Sequence, residues 1–236
     1  MILRSEPMVK STLVLIPAYN EEKTIKEVVK RSLRFYDVCV VNDGSKDDTR
    51  KIVESIPGAV CITHVKNTHI PQTVLDGMRY GLKHGYKYVI TMDAGLSHRP
   101  EELPNFIKAP DADLIVGFRA RKNDVPWFRS VLSYGAKILI NFSLRPIGSG
   151  LPRAKFKDVT SGFRRYSRRA MKLLLSRKMK AKTFDFHTEA LMLIYRNGQS
   201  IKEIPITYRF TGSSLNTKVV MTGIKMFLDF FFTRRK

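Results

Sequence analysis

Short, almost wholly apolar runs alternate with longer segments of helical spacing through the first half of this chain, and that alternation narrows the possible folds more than any other feature. Thr12 to Ile16, Val38 to Val41, Ala59 to Thr63, Tyr88 to Met92 and Leu114 to Val116 read as strands. Thr24 to Phe35, Asp47 to Ser55 and Ile70 to Lys83 read as the helices between them. Strands that alternate with helices build βαβ units, so the fold class is α/β with a mainly parallel sheet. Such sheets bind ligands at the carboxyl ends of their strands, where loop amides and helix N-termini converge. The first strand runs into Pro17-Ala18-Tyr19-Asn20-Glu21-Glu22, the second into Asn42-Asp43-Gly44-Ser45 and the fourth into Asp93, so three polar loops point at one crevice.

The second half has a different texture. An aromatic and basic stretch (Pro126, Trp127, Phe128, Arg129) leads into a helical segment from Ser130 to Leu144. Phe184 to Arg196 is a further helix, and Ile201 to Tyr208 reads as an edge strand because Pro205 removes a ladder donor. Arg164, Arg165, Arg168 and Arg169 form a basic run, read as mostly solvated. With 236 residues the chain suits one substantial core, residues 1–215, followed by a basic amphipathic tail, residues 216–236. In that tail Ile224, Met226, Phe227, Leu228 and Phe230 to Phe232 lie among Lys225 and Arg234 to Lys236. This pattern suits a helix lying in an anionic membrane interface rather than crossing it. No window reaches the ~18 uncharged apolar residues of a membrane span. The first ten residues carry no signal-peptide pattern, which leads us to expect a cytoplasmic protein, peripheral on the cytoplasmic face of a membrane.

Lys and Arg number 42 against 21 acidic residues, a formal charge of +21 that attracts polyanions. Nucleic acid, anionic lipid and phosphorylated substrates all qualify, but no helix-turn-helix, RNP or zinc pattern supports nucleic acid. Cys39 and Cys61 sit inside apolar runs and form no CxxC pair, as expected for core residues in a reducing compartment. His69, His84 and His98 have no metal-ligand spacing and read as ordinary polar residues.

Five motifs in order carry a resemblance: Ile16-Pro17-Ala18-Tyr19-Asn20-Glu21; Val40-Val41-Asn42-Asp43-Gly44-Ser45-Lys46-Asp47-Asp48-Thr49; Met92-Asp93-Ala94 with Leu96-Ser97-His98-Arg99-Pro100-Glu101; Val116-Gly117-Phe118-Arg119; and Asp158-Val159-Thr160-Ser161-Gly162-Phe163-Arg164. The chain resembles glycosyltransferase family 2, and within it the dolichol-phosphate and polyprenol-phosphate mannosyl- and glucosyltransferases, over roughly residues 12 to 215. The resemblance implies a GT-A fold, in which a Rossmann-like nucleotide half is fused to an acceptor half. It also implies an inverting transfer of a hexose from GDP- or UDP-hexose to a polyprenyl phosphate. By carry-over Pro17, Tyr19 and Glu21 line the nucleoside pocket, Asp43 contacts the base, and Asp93 approaches the metal or diphosphate. Arg119 and Arg164 are the candidates to hold phosphates, with Asp158 either capping locally or orienting an arginine. Ser161, Arg209, Ser213, Ser214 and Lys218 are the candidates to close over the acceptor.

One position departs from the family pattern. Where the family usually places a second carboxylate, Asp93-Ala94-Gly95 has a glycine, and Ser97 is a poor ligand. A hard cation such as Mg2+ or Mn2+ can be held by one carboxylate with phosphate oxygens and waters, so Asp93 is the expected metal ligand. A phosphate acceptor is already ionised near neutral pH and needs positioning more than a base. A hydroxyl acceptor needs a base, for which Asp185 and Glu189 are the candidates. A nucleotide-sugar binder without turnover is the remaining alternative.

Overall fold

The computed structural model describes residues 11–123 and 155–209, with 134, 135, 137, 138, 140, 141 and 144 between them. The strands are β1 (Thr12–Ala18), β2 (Asp37–Asn42), β3 (Ala59–Thr63), β4 (Tyr88–Thr91), β5 (Leu114–Asn123), β6 (Arg164–Ser167) and β7 (Ile201–Arg209). The helices are α1 (Ile25–Ser32), α2 (Thr49–Glu54), α3 (His69–Lys83), α4 (Leu103–Lys108), α5 (Arg168–Leu175) and α6 (Phe186–Arg196).

All seven strands form one sheet in the order β3-β2-β1-β4-β6-β5-β7. Every pairing is parallel except those of β6, which runs antiparallel to β4 and to β5. The reason β1 is apolar at each position is visible in its packing, since both faces of the sheet are covered. Leu13 and Leu15 join Val74 and Met78 of α3, Met171 and Leu174 of α5 and Leu191 of α6 on one face. Val14 and Ile16 join Val28 and Val29 of α1, Val53 of α2 and Phe106 of α4 on the other. Both cysteines are free thiols, and burial pushes that of Cys39 up to about 12.

The expected first five strands and first three helices are all present, and β7 lies at the sheet edge with Pro205 opposite Phe118. β5 extends well past Val116, to Asn123. Two elements were not expected: β6 and α5 occupy the basic run that read as mostly solvated. Arg164 and Arg165 are instead buried at the centre of the sheet, Arg168 donates to the Tyr86 carbonyl, and of the four only Arg169 is well exposed. Within the segment expected as a helix from Ser130 to Leu144, the described positions 134, 135, 137, 138, 140 and 141 are helical, and Ile140 and Leu144 are buried in the core. Trp127, Ser213, Ser214, Lys218 and the whole 216–236 tail lie outside the described residues. Among those described, no helix is long and apolar enough to cross a membrane.

α3 approaches β1 closely at Gly77, where a methyl group would come within 2.1 Å of Leu15 Cδ1. Gly77→Ala therefore lowers unfolding stability by about 1–3 kcal/mol in urea titrations through overpacking. This loss overrides the ~1 kcal/mol that alanine ordinarily adds to a helix. Equal or greater stability would contradict the close helix-to-sheet contact.

Candidate active site at the carboxyl ends of β1, β2 and β4

The loops after β1 and β2 are laced together by the polar residues of their motifs. The Asn20 amide donates to Ser45 Oγ (2.9 Å) and the Lys46 amide returns a bond to Asn20 Oδ1 (2.8 Å). The Glu21 amide donates to Thr49 Oγ1 (2.7 Å), and Thr49 in turn donates its amide and hydroxyl to Asp47. Asn20 takes a left-handed backbone conformation at φ 55°, which asparagine tolerates better than most residues. Gly44, at φ 71°, also faces the backbone of Lys66 at a distance where a Cβ would be 2.8 Å from a carbonyl carbon. Neither turn conformation nor space leaves room for another residue there.

Asp43 is buried, and its carboxylate organises the loop that follows β3. It accepts from His64 Nδ1 (2.7 Å), the Thr68 amide (2.8 Å) and hydroxyl (2.7 Å), and the His69 amide (2.8 Å). Burial alone raises its pKa, but these hydrogen bonds outweigh burial and hold it below the usual carboxylate range. The expected contact of Asp43 with a base is thus confined to whatever acceptor capacity those bonds leave. His64 also reaches Asp76 through Nε2 (3.1 Å), so one imidazole bridges β2 to α3. Beside this loop, Pro17 is partly buried, Tyr19 is 43% exposed and Glu21 faces the crevice. Burial, with the Asp93 and Asp47 carboxylates nearby, pushes the Glu21 carboxyl above its usual range against the bond from Thr24.

Asp93 stands just past β4 with its side chain 45% exposed. Its amide donates to His98 Nδ1 (3.3 Å), and His98 is buried between Phe163, stacked at 4.9 Å, and Tyr208, edge-on at 5.7 Å. His98 is thus packed in the layer behind Asp93, which corrects its reading as an ordinary polar residue. Burial lowers its pKa despite the Asp93 carboxylate. His187, at the start of α6, also faces Asp93, and no sequence signal singled it out. A methyl group on Gly162 would lie 3.1 Å from both Asp93 Oδ1 and His187 Nε2. Burial and the Arg164 guanidinium keep the His187 ring well below the ordinary histidine pKa.

Arg119 is clamped by Asp158, Nε to Oδ2 at 2.6 Å and Nη2 to Oδ1 at 2.9 Å, with Nη2 also donating to Thr160 Oγ1 (2.6 Å). The same Asp158 accepts the Thr160 and Ser161 amides, so it caps its own turn and orients an arginine at once. Burial opposes ionisation of Asp158, but the Arg119 pair and these amides hold its pKa down. Ser161 is buried within this turn rather than offered to a ligand, although its hydroxyl accepts the Phe163 amide. Arg209 ends β7 in an exposed position, its amide donating to the Ser97 carbonyl (3.1 Å).

Arg164 requires a correction. It is wholly buried, and its guanidinium donates to the Ser161 carbonyl (2.6 Å), the Val159 carbonyl (2.9 Å) and the His187 carbonyl. It therefore fixes the wall of the crevice and presents no open face to a phosphate. Asp185 and Glu189 are committed as well. Glu189 is buried and accepts the Lys180 and Ala181 amides, and Asp185 accepts the Thr183 amide and hydroxyl.

A family model described as Glycosyl transferase family 2 matches residues 13–175. The polyprenol monophosphomannose synthase of Mycolicibacterium smegmatis is 31% identical, over 92% of this chain and 89% of that protein. The UDP-N-acetylglucosamine–dolichyl-phosphate N-acetylglucosaminyltransferase of Methanococcus voltae is 29% identical, over 92% and 94%. Among solved structures, glucosyl-3-phosphoglycerate synthase of Mycobacterium tuberculosis, in complex with Mn2+, UDP-glucose and phosphoglyceric acid, superposes with a TM-score of 0.69. That pairing is 16% identical and covers 94% of this chain and 80% of the other, so it shows a shared fold.

Two stability measurements check this geometry. Arg164→Ala removes the guanidinium donor from three buried carbonyls and opens a cavity in the core, although the Val159 carbonyl keeps the Thr188 hydroxyl, and it lowers stability by about 3 kcal/mol or more; a well-folded variant that merely loses turnover would contradict the scaffold role. For Asp43 the sign follows from its lowered pKa. Its contribution is full above the ordinary value of 3.8 and is lost as pH falls through the lower folded-state value. Asp43→Asn thus costs about 1–3 kcal/mol near neutral pH, and its gap from the parent protein narrows in acid unfolding below about pH 4. A gap that is constant with pH would contradict the bonding pattern.

Proposed function

This chain belongs to glycosyl transferase family 2, and from that premise we propose that it moves a hexose from a GDP- or UDP-linked donor to a polyprenyl phosphate at a membrane surface. In this reading residues 1–215 are a GT-A catalytic domain, with a Rossmann-like half built on β1 to β4 and an acceptor half beyond it. Residues 216–236 hold it to the anionic cytoplasmic face of the membrane. Support for the lipid acceptor comes from two relatives whose names specify polyprenol and dolichyl-phosphate substrates, and from the basic charge of the chain.

The observation that carries the reading is the commitment of Asp185 and Glu189 to backbone amides. Both carboxylates nominated as a base for a hydroxyl acceptor are engaged in holding the loop before α6. A phosphate monoester acceptor is already an anion and needs no such base. What it needs is a positioned cation, and Arg119, held rigid by Asp158, offers one beside Asp93.

Each residue then has a definite task. The laced Ala18–Glu21 and Asp43–Ser45 loops seat the nucleoside, with Tyr19 exposed to cover the base. Arg119 orients a phosphate for in-line attack, in which an acceptor oxygen bonds the anomeric carbon as the bond to the donor diphosphate breaks, with inversion. Asp93 is the residue that would hold a divalent cation, Mg2+ or Mn2+, which would supply charge neutralisation for the diphosphate.

The test is a panel of GDP- and UDP-hexoses offered with a short polyprenyl phosphate and Mg2+ or Mn2+. We expect transfer from one donor, and Arg119→Ala lowers kcat about a hundredfold while keeping the fold, as loss of a positioned cation does. Transfer to a sugar hydroxyl and to no lipid phosphate would contradict the acceptor, and an Arg119→Ala enzyme at parent rates would contradict that residue's task.

A further inference from the structure

The chain between α5 and α6 alternates in exposure with a period of two. Lys178, Lys180, Lys182 and Phe184 face solvent, whereas Met179 is half-buried against the core, Ala181 is buried and Thr183 turns its hydroxyl to Asp185. That period belongs to an extended strap lying on a core with one edge outward. Three lysines and an aromatic ring therefore stand in a single outward row, with Arg177 exposed at its start and Phe184 41% exposed at its end.

The row is held stiffly. Glu189 accepts the Lys180 and Ala181 amides, and Asp185 accepts those of Lys182 and Thr183. The two acidic side chains that follow the strap are thus spent on its backbone, and among the described residues none of Arg177, Lys178, Lys180 and Lys182 forms an ion pair. Exposed cations in a row make no pocket for one phosphate; they match an extended anionic surface. The strap also has a fixed place relative to the site. Arg168, which opens α5, bonds the Tyr86 carbonyl near the start of β4, so α5 runs from there toward the crevice end of the sheet. At the far end of the strap the Phe184 carbonyl accepts the amide of His187, whose ring borders Asp93 across Gly162.

We propose that strap 177–184 is a membrane-docking face of the folded domain, which meets an anionic lipid bilayer through its lysines and sets the Phe184 ring into the interface. Lysine stems lie along apolar surface while their heads stay at the lipid phosphates. The contact is additional to the 216–236 tail, and it brings the rim of the crevice to the surface from which a lipid acceptor comes. It rests on the proposed function only for the membrane as partner, because docking needs neither donor nor acceptor.

The full chain is sedimented with vesicles of phosphatidylcholine mixed equally with phosphatidylglycerol, beside two variants that lose the same charge. One carries Lys178→Gln, Lys180→Gln and Lys182→Gln. The other carries Lys30→Gln, Lys83→Gln and Lys87→Gln, exposed lysines in the last turns of α1 and α3 and just before β4, at the opposite end of the sheet. We expect the strap variant to bind about a hundredfold more weakly, since each lysine near an anionic surface contributes roughly fivefold. The second variant loses less than about fivefold in all, because salt screens charges held away from the bilayer. Phe184→Ser alone weakens binding about tenfold through loss of the apolar contact. Equal losses in the two triple variants, or no loss in the strap variant, would overturn the assignment, and so would short RNA that displaces the vesicles from the strap lysines. Hexose transfer to a short polyprenyl phosphate in solution is assayed alongside. Transfer without strap-dependent vesicle binding would remove this face and leave the proposed function standing, whereas strap-dependent binding without transfer would do the reverse.

Discussion

A guanidinium removed from water is costly unless acceptors meet most of its donors, and β6 places two of them side by side in the middle of the sheet, with only Arg165 Nε lacking a partner among the described residues. Their side chains leave opposite faces. Arg164 reaches the Val159, Ser161 and His187 carbonyls, and Arg165 reaches the Phe106 carbonyl, the Ala112 carbonyl and Asp111 while lying 4.1 Å over the Tyr88 ring. The first arginine therefore ties the Asp158–Gly162 turn to α6, and the second ties the sheet to the segment after α4. Thr91 adds a hydroxyl bond to the Gly162 carbonyl (2.7 Å), which joins the turn to the end of β4. Asp93, Gly162, His187 and, through Asp158, Arg119 take their mutual positions from this frame.

The frame has a consequence for the division of labour among charges. Polar groups that serve structure are buried and paired, as Asp43, Asp158, Arg164 and Glu189 are. Groups that remain available face the crevice: Asp93, Glu21 and the exposed ring of Tyr19. Arg119 lies between the two classes, fixed by a bidentate carboxylate yet turned toward Asp93 and Tyr208. A cation fixed in this way needs little reorganisation to meet an anion.

The parallel half of the fold was legible because strands buried on both faces leave uninterrupted apolar runs, as Leu13 to Ile16 and Val38 to Val41 do. β6 was not legible for the converse reason. Arg164-Arg165-Tyr166-Ser167 has the composition of a solvated loop, and nothing local reveals the carbonyls that meet those guanidiniums from Val159, Phe106 and His187. The nucleotide loops and Asp93 could be placed from their motifs, since each sits directly after a strand. Asp158 could be suspected of orienting an arginine, but that the arginine is Arg119, 39 positions away, is a product of the β5–β6 pairing. His187 carried no spacing signal at all, because it meets Asp93 only through the packing of α6 against the turn.

On the proposed reading, the loops after β1, β2 and β4 form one donor site with Asp93 at the diphosphate. A crystal structure with a nucleoside diphosphate sugar and Mn2+ tests it most directly. The expected result is the nucleoside against Pro17 to Glu21 and the Asp43 loop, the diphosphate beside Asp93, and anomalous density for the cation between them. A nucleotide seated elsewhere on the sheet, or a diphosphate directed away from Asp93, would contradict it.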